Sequence, residues 1–284
     1  MKEQRNLPLL MFAFIISQIL TVIFVQNIIL SQTPVEQYAP FGNENVAQAT
    51  ANSGLLIVSV AIFTVGLILV LKFKLRFVFK FAVVLLPLFF LLGYTDFHLT
   101  TIVNYFSGQD FTALITVLSL FFTFAVAYGL IKKIYILVTS AVILLTAEIA
   151  SFLTVSLAPP TLYVLPVAFA LYDIYAVFRG PLKKLIKVQP RKALQQQFIY
   201  SEFGLIITRI GGYTIGAGDF IFYALLVASG FIQKSFLGAI AVGIVINIGV
   251  VATLYILEKY RKPLPGLPIP VFLAVAVLIL LNFV

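Results

Sequence analysis

The sequence contains no cysteine and a single histidine, His98, among its 284 residues. The lack of cysteine excludes disulfides, zinc–thiolate centres and cysteine nucleophiles, and one histidine cannot build a multi-histidine metal site. Charged residues are scarce at 10% of the chain, whereas hydrophobic residues make up 62%. Soluble proteins average about 45–50% apolar residues. We therefore predict an all-α polytopic protein that resides in the cell membrane.

The apolar residues form runs long enough to cross a bilayer, which requires about 20 residues per helix. Nine such segments can be marked out along the chain. They are residues 7–30, 52–71, 76–93, 111–131, 134–157, 161–178, 213–232, 235–257 and 266–284.

The distribution of basic residues tests this count. If the N-terminus is cytoplasmic and the spans alternate, every Lys and Arg except Lys234 falls at the cytoplasmic side. This is the asymmetry that the positive-inside rule describes, so we predict nine spans with the N-terminus inside and the C-terminus outside. Topology and attraction to anionic lipid then account for the net charge of +9, and no nucleic-acid partner is expected.

Residues 179–212 interrupt the apolar pattern and divide the chain. We predict a six-helix part over 1–178, a basic cytoplasmic loop over 179–212 and a three-helix part over 213–284. Leu194, Phe198 and Leu205 lie near helical spacing, which indicates an amphipathic interfacial helix in the loop. A solvated basic linker is the alternative.

Two aspartates lie inside predicted spans, Asp173 in the sixth and Asp219 in the seventh. An acid in hydrocarbon costs several kcal/mol, so it indicates a functional site by default. Asp173 lies five residues before the cytoplasmic end of its span and Asp219 lies six residues after the start of the next. Because consecutive helices are usually neighbours, we expect the two carboxyl groups to meet at similar depth.

Two carboxyl groups held together in a low dielectric share a proton, because they cannot both ionise readily. The ionised member then takes a proton from water while the neutral member donates one to a carbonyl oxygen, which is the arrangement of aspartic proteases. Gly216 and Gly218 remove side chains just before Asp219, so that backbone or substrate can approach closely. An extended substrate could add a strand near Gly211 and Gly212.

Three short motifs resemble those of the presenilin and signal peptide peptidase family of intramembrane aspartyl proteases. Tyr172-Asp173 resembles the family's YD motif, and Gly216-Ala217-Gly218-Asp219 resembles its GxGD motif. Pro265-Gly266-Leu267-Pro268 precedes the last span where the family has Pro-Ala-Leu-Pro, with glycine in place of alanine. The chain resembles a compact prokaryotic, archaeal homologue along essentially its whole length.

The resemblance implies an intramembrane endopeptidase that cuts transmembrane segments of substrate proteins. It implies that Asp173 and Asp219 are the catalytic pair, with Tyr172, Gly216, Gly218 and Pro265–Pro268 supporting the active site or binding substrate. The family uses no metal or organic cofactor. The predicted orientation is that of presenilin, and homo-oligomerisation is an open alternative.

Three other interpretations of the same acids remain. Type IV prepilin peptidases also carry GxGD, but usually with Lys two residues later, where this chain has Ile221. A proton- or sodium-coupled transporter also uses paired intramembrane acids and glycine- or proline-interrupted helices, although no inverted repeat is evident here. A purely structural membrane protein would leave the acids without a purpose.

Four further polar residues receive more ordinary interpretations. Glu148, in the middle of the fifth span, is predicted to be a neutral packing group held by hydrogen bonds. Asn247 is predicted to hydrogen-bond between helices, and Asp96 and His98 are predicted to be solvated on an outer loop.

Overall fold

The computed structural model describes residues 5–32, 35, 37, 39–42, 45–73, 75–178, 205–260 and 265–283. The predicted helical class is confirmed over these ranges. The helices are α1 Leu7–Leu30, α2 Val46–Lys72, α3 Arg76–Lys80, α4 Leu86–Ser107, α5 Thr112–Lys132, α6 Tyr135–Ser156, α7 Pro159–Phe178, α8 Ala217–Tyr260 and α9 Pro268–Leu281. Five helical stretches in the described ranges are long and apolar enough to cross a membrane. The count of nine spans stays a prediction.

The third predicted span is part of a longer helical rod. A five-residue π-helical segment, Phe81–Leu85, joins α3 to α4. Pro87 follows within the first turn of α4. Because proline has no backbone N–H to donate, a local change of hydrogen-bond register at this point lets the helix continue.

The prediction that this span ends near residue 93, with Asp96 and His98 solvated on a loop, is wrong. The helix runs on to Ser107 and ends at Gly108, which has the left-handed φ of 66°. His98 is buried, stacks on Phe24 with ring centroids 4.2 Å apart and hydrogen-bonds to Asn27 at 3.0 Å. Asp96 is a helical residue of α4. The polar residues Thr95 and His98 make this stretch look like a loop in the sequence. In the structure their hydrogen-bond partners lie on other helices.

α8 folds back on itself as a helical hairpin. Lys234 and Ser235 have non-helical dihedral angles and separate two helical halves, 217–233 and 236–260. Gly230 and Gly238 face each other across the turn, and a Cβ on Gly230 would lie 2.7 Å from the Gly238 carbonyl oxygen. The two glycines therefore allow the backbones to pack closely. Neighbouring predicted spans, 213–232 and 235–257, meet at this turn.

A β-hairpin occupies the residues where the seventh span was predicted to begin. β1 Ile207–Ile210 pairs with β2 Tyr213–Gly216 in antiparallel register, and Gly211 and Gly212 form the turn with φ of 57° and 80°. Two positive φ angles are the geometry of a two-residue hairpin turn, which glycine adopts without strain. The predicted helix start at residue 213 is therefore wrong, and the helix begins at Ala217.

The core centres on α8, which packs against α9, α1 and α6. Phe14 of α1 contacts Phe220 and Tyr223 of α8, with ring centroids 4.4 and 5.3 Å apart. A second apolar cluster joins α4, α5 and α6, and the buried Leu205 packs into it. Leu194 and Phe198 lie outside the described residues, so the amphipathic loop helix and the division into three regions remain predictions.

Candidate active site

Asp219 lies in the first turn of α8, three residues after Gly216. The backbone of Gly216 hydrogen-bonds to its carboxyl group, in the manner of the acidic residue of a capping box. The positive end of the helix dipole also lies here, which favours an acidic side chain. Strand β2 thus places Asp219 at a helix terminus, and the prediction that Asp219 lies six residues inside a helix is wrong.

Asp173 approaches the same place from α7, five residues before that helix ends at Phe178. It is partly exposed. Its Oδ2 accepts a hydrogen bond from the backbone N–H of Leu267 at 3.2 Å, and the backbone of Gly266 also hydrogen-bonds to its carboxyl group. The Asp173 carboxyl group is therefore held by the segment that precedes α9.

Gly266 brings the two aspartates together. A Cβ on this residue would lie 3.2 Å from Oδ1 and 3.5 Å from Cγ of Asp219, so the glycine backbone lies directly against that carboxyl group. Asp173 and Asp219 thus lie against consecutive residues, Leu267 and Gly266. All three sequence motifs meet at one point of the structure.

Tyr223 joins the site and was not singled out from the sequence. It is buried, and its hydroxyl donates a hydrogen bond to the carbonyl oxygen of Gly266 at 2.9 Å. It lies four residues after Asp219, on the same face of α8. A hydroxyl-bearing aromatic residue one turn after an intramembrane acid is the signal that could have identified it.

The other predicted site residues take up different positions. A Cβ on Gly218 would meet nothing within 4 Å, and one on Gly216 would lie 4.0 Å from Asp219 Oδ2, so both glycines leave open space beside the acid. Pro268 is buried and starts α9. Tyr172 directly precedes Asp173 on α7 but is 47% exposed.

A second polar cluster lies deep between α1, α4 and α6. Glu148 is fully buried and its Oε1 accepts a hydrogen bond from the Thr95 hydroxyl at 2.6 Å. Asn27 and His98 form the neighbouring pair along α1 and α4. Among the described residues, no three His, Asp or Glu side chains are grouped so that they could hold a metal ion.

Comparison with known proteins relates this chain to one family. The Presenilin family profile matches residues 195–284, which include the second and third motifs. Presenilin-B of Dictyostelium discoideum is 28% identical over 170 residues, or 59% of this chain. The chain covers 34% of that protein's length.

Two solved structures of a presenilin family intramembrane aspartate protease share the fold. The first, from a C222 crystal form, covers 96% of this chain and 97% of its own, at a TM-score of 0.63 and 20% identity. The second, from a P2 crystal form, covers 98% of both chains at a TM-score of 0.65 and 21% identity. The chain is a multi-pass membrane protein, and its predicted resemblance to the presenilin family is confirmed.

Proposed function

We propose that this chain is an intramembrane aspartyl endopeptidase of the GxGD type, with Asp173 and Asp219 as its catalytic pair. One observation carries the proposal: the two carboxyl groups converge on the consecutive residues Gly266 and Leu267. An intramembrane acid is costly, and two that converge at a partly exposed place need a chemical purpose. The shared fold with structures of an intramembrane aspartate protease supports the same function.

The reaction needs one ionised and one protonated aspartate. The ionised carboxylate takes a proton from water, and the water oxygen attacks the carbonyl carbon of the scissile amide. The protonated aspartate gives its proton to the carbonyl oxygen. When the tetrahedral intermediate collapses and the C–N bond breaks, the aspartate that took the water proton gives it to the leaving nitrogen. A hydroxyl of the intermediate returns its proton to the other aspartate as the carboxyl product forms, so the pair regains its starting state. Either aspartate can fill either role.

The substrate is proposed to be a transmembrane helix that unwinds before cleavage. The open space beside Gly216 and Gly218 would admit an extended backbone. β2 ends at Gly216 and would offer its edge to an added strand. With nine spans and the N-terminus inside, water would reach the aspartates from the cytoplasm. The predicted loop over 179–212 would gate entry, and its residues 179–204 lie outside the described part of the chain.

Proteolysis in liposomes tests the function. Purified protein is incubated with a single-span substrate, and the wild type is compared with Asp173→Ala and Asp219→Ala. Cleavage by the wild type and by neither variant is the expected result. Residual cleavage by either variant would contradict the catalytic pair, and a wild type inactive on several substrates would shift the assignment to a cation-coupled transporter.

A further inference from the structure

Three side chains from distant parts of the sequence form a polar clasp at one end of the helix bundle. Oε1 of Glu258 accepts a hydrogen bond from the Tyr213 hydroxyl at 2.8 Å and forms a salt bridge with Nη1 of Arg5 at 3.2 Å. The Arg5 guanidinium also lies 5.4 Å from the centre of the Tyr213 ring. Each member therefore contacts the other two, and we call this group the Arg5–Tyr213–Glu258 clasp.

The backbone around the clasp fixes the β-hairpin from two sides. The N–H of Asn6 donates to the Gly211 carbonyl oxygen at 2.8 Å. A Cβ on Gly211 would lie 2.2 Å from the Asn6 carbonyl oxygen, so only glycine fits this turn. At the open end of the hairpin, the N–H of Ala217 donates to the Ile206 carbonyl oxygen at 2.7 Å. Little freedom remains between Tyr213 and the first turn of α8.

The clasp joins the two chain segments that enter the candidate active site. Tyr213 starts strand β2, which leads directly into the helix turn that carries Asp219. Glu258 lies near the end of α8, and the chain continues from there to Gly266 and Leu267, which contact both aspartates. A displacement of β2 relative to the end of α8 would therefore change the position of Asp219 against Gly266.

The hydrogen bond at the centre of the clasp persists over the whole physiological pH range. Burial and the hydrogen bond to Glu258 raise the pKa of Tyr213 to about 12, so its hydroxyl keeps the proton that it donates. Arg5 and Glu258 are both about half exposed. Exposed ion pairs add little to global stability and are weakened by salt. The effect of the clasp should therefore appear in the local geometry of the hairpin.

We propose that Glu258 is a positioning residue, which holds β2 through Tyr213 and Arg5 and so sets Asp219 against the Gly266–Leu267 segment. This inference rests on the proposed proteolytic function for its kinetic part only. Because misplacement of reacting groups by an ångström costs up to about a hundredfold in rate, a loosened hairpin should lower kcat. Substrate affinity should change little.

The kinetic test compares Glu258→Gln, Arg5→Gln and Tyr213→Phe with the wild type. We expect each variant to lower kcat about threefold to tenfold while KM stays within about twofold. High salt should lower the kcat of the wild type and leave that of Glu258→Gln unchanged, since the variant has no ion pair to screen. The matched control is Lys259→Gln, which removes the neighbouring charge that lies over the Tyr255 and Tyr260 rings.

A distance measurement separates this inference from the proposed function. The chain contains no cysteine, so spin labels can be placed cleanly at Thr214→Cys on β2 and Leu171→Cys on α7, both exposed positions. Glu258→Gln should broaden or shift the distance distribution, and Lys259→Gln should not. Unchanged distances and kcat, or equal changes in the control, would overturn the positioning role. A changed distance in a chain that cleaves nothing would support the clasp and refute the protease.

Discussion

Asp219 and Glu148 are both acids among apolar helices, yet their surroundings differ in every respect that matters for chemistry. Asp219 lies in the first turn of α8, is partly exposed and is bonded by the backbone of Gly216. Glu148 lies in the interior of α6, is fully buried and is bonded by the Thr95 side chain. The two acids thus present opposite ways to keep a carboxyl group in a membrane protein.

The difference follows from where each acid lies on its helix. The first turn of a helix has backbone N–H groups without partners, which can bind an acid without the help of another side chain. In the middle of a helix these groups are already used, so Glu148 depends on a hydroxyl from α4. An acid held by backbone groups at an accessible place can exchange protons with water, whereas an enclosed acid is a packing element.

The largest expected effect is on kcat, and it should distinguish Asp219 from Glu148. Asp219→Asn keeps the size of the side chain but removes the exchangeable proton, so kcat should fall by about 10²–10⁴-fold or more. Glu148→Gln should keep activity within about threefold, since it retains an acceptor for Thr95. Steady-state cleavage of one transmembrane substrate by both variants makes the comparison.

The pH profile sharpens the same contrast. Because one aspartate must be ionised and the other protonated, activity should fall both at low pH, where both are protonated, and at high pH, where both are ionised. Glu148→Gln should leave both limbs of the profile in place. A profile that loses one limb in Glu148→Gln would mean that Glu148 belongs to the catalytic machinery.

A smaller effect is expected where the third motif contacts Asp219. A Cβ in Gly266→Ala would come within 3.2 Å of Asp219 Oδ1, so the carboxyl group must move by a few tenths of an ångström. We expect kcat to fall about tenfold with little change in KM. The control is Gly93→Ala, because a Cβ there meets nothing within 4 Å. Equal or higher activity in Gly266→Ala would show that Asp219 adapts freely.

The contrast between the two acids also shows what could be predicted from sequence. The meeting of Asp173 and Asp219 was predicted from their similar depth in consecutive spans, and the place of the Pro265–Pro268 segment beside them was implied by the resemblance of the motifs. The β-hairpin was missed because Tyr213–Gly216 joins directly to an apolar helix, and its partner strand lies in a loop without a clear pattern. The extension of α4 was missed because Thr95 and His98 find their partners only in the folded bundle.

The free energy of unfolding should depend on the hydrogen bond that Thr95 donates to the enclosed acid, Glu148. Thr95→Val removes the hydroxyl that donates to Glu148 and leaves a buried carboxyl oxygen without that partner. We expect the free energy of unfolding to fall by about 1–3 kcal/mol, the usual cost of an unsatisfied buried polar group. Reversible unfolding in mixed micelles measures it. Thr116→Val is the control, because that exposed hydroxyl donates its hydrogen bond to the Thr112 carbonyl oxygen of its own helix.

The smallest expected effect concerns a pair without an ionisable group, and it shows how much of the Thr95→Val effect depends on the Glu148 carboxyl group. Asn247 Nδ2 donates to Gln18 Oε1 at 3.0 Å between α8 and α1, as the predicted interhelical hydrogen bond. Single substitutions to Leu would mix the loss of this bond with the cost of an unpaired amide, so a double-mutant cycle is needed. Hydrogen bonds between transmembrane helices average about 0.6 kcal/mol in such cycles, and we expect a coupling energy of that size. The coupling energy could instead equal the loss of unfolding free energy in Thr95→Val. Burial alone would then make a polar contact costly to break in this bundle, and no ionisable group would be needed.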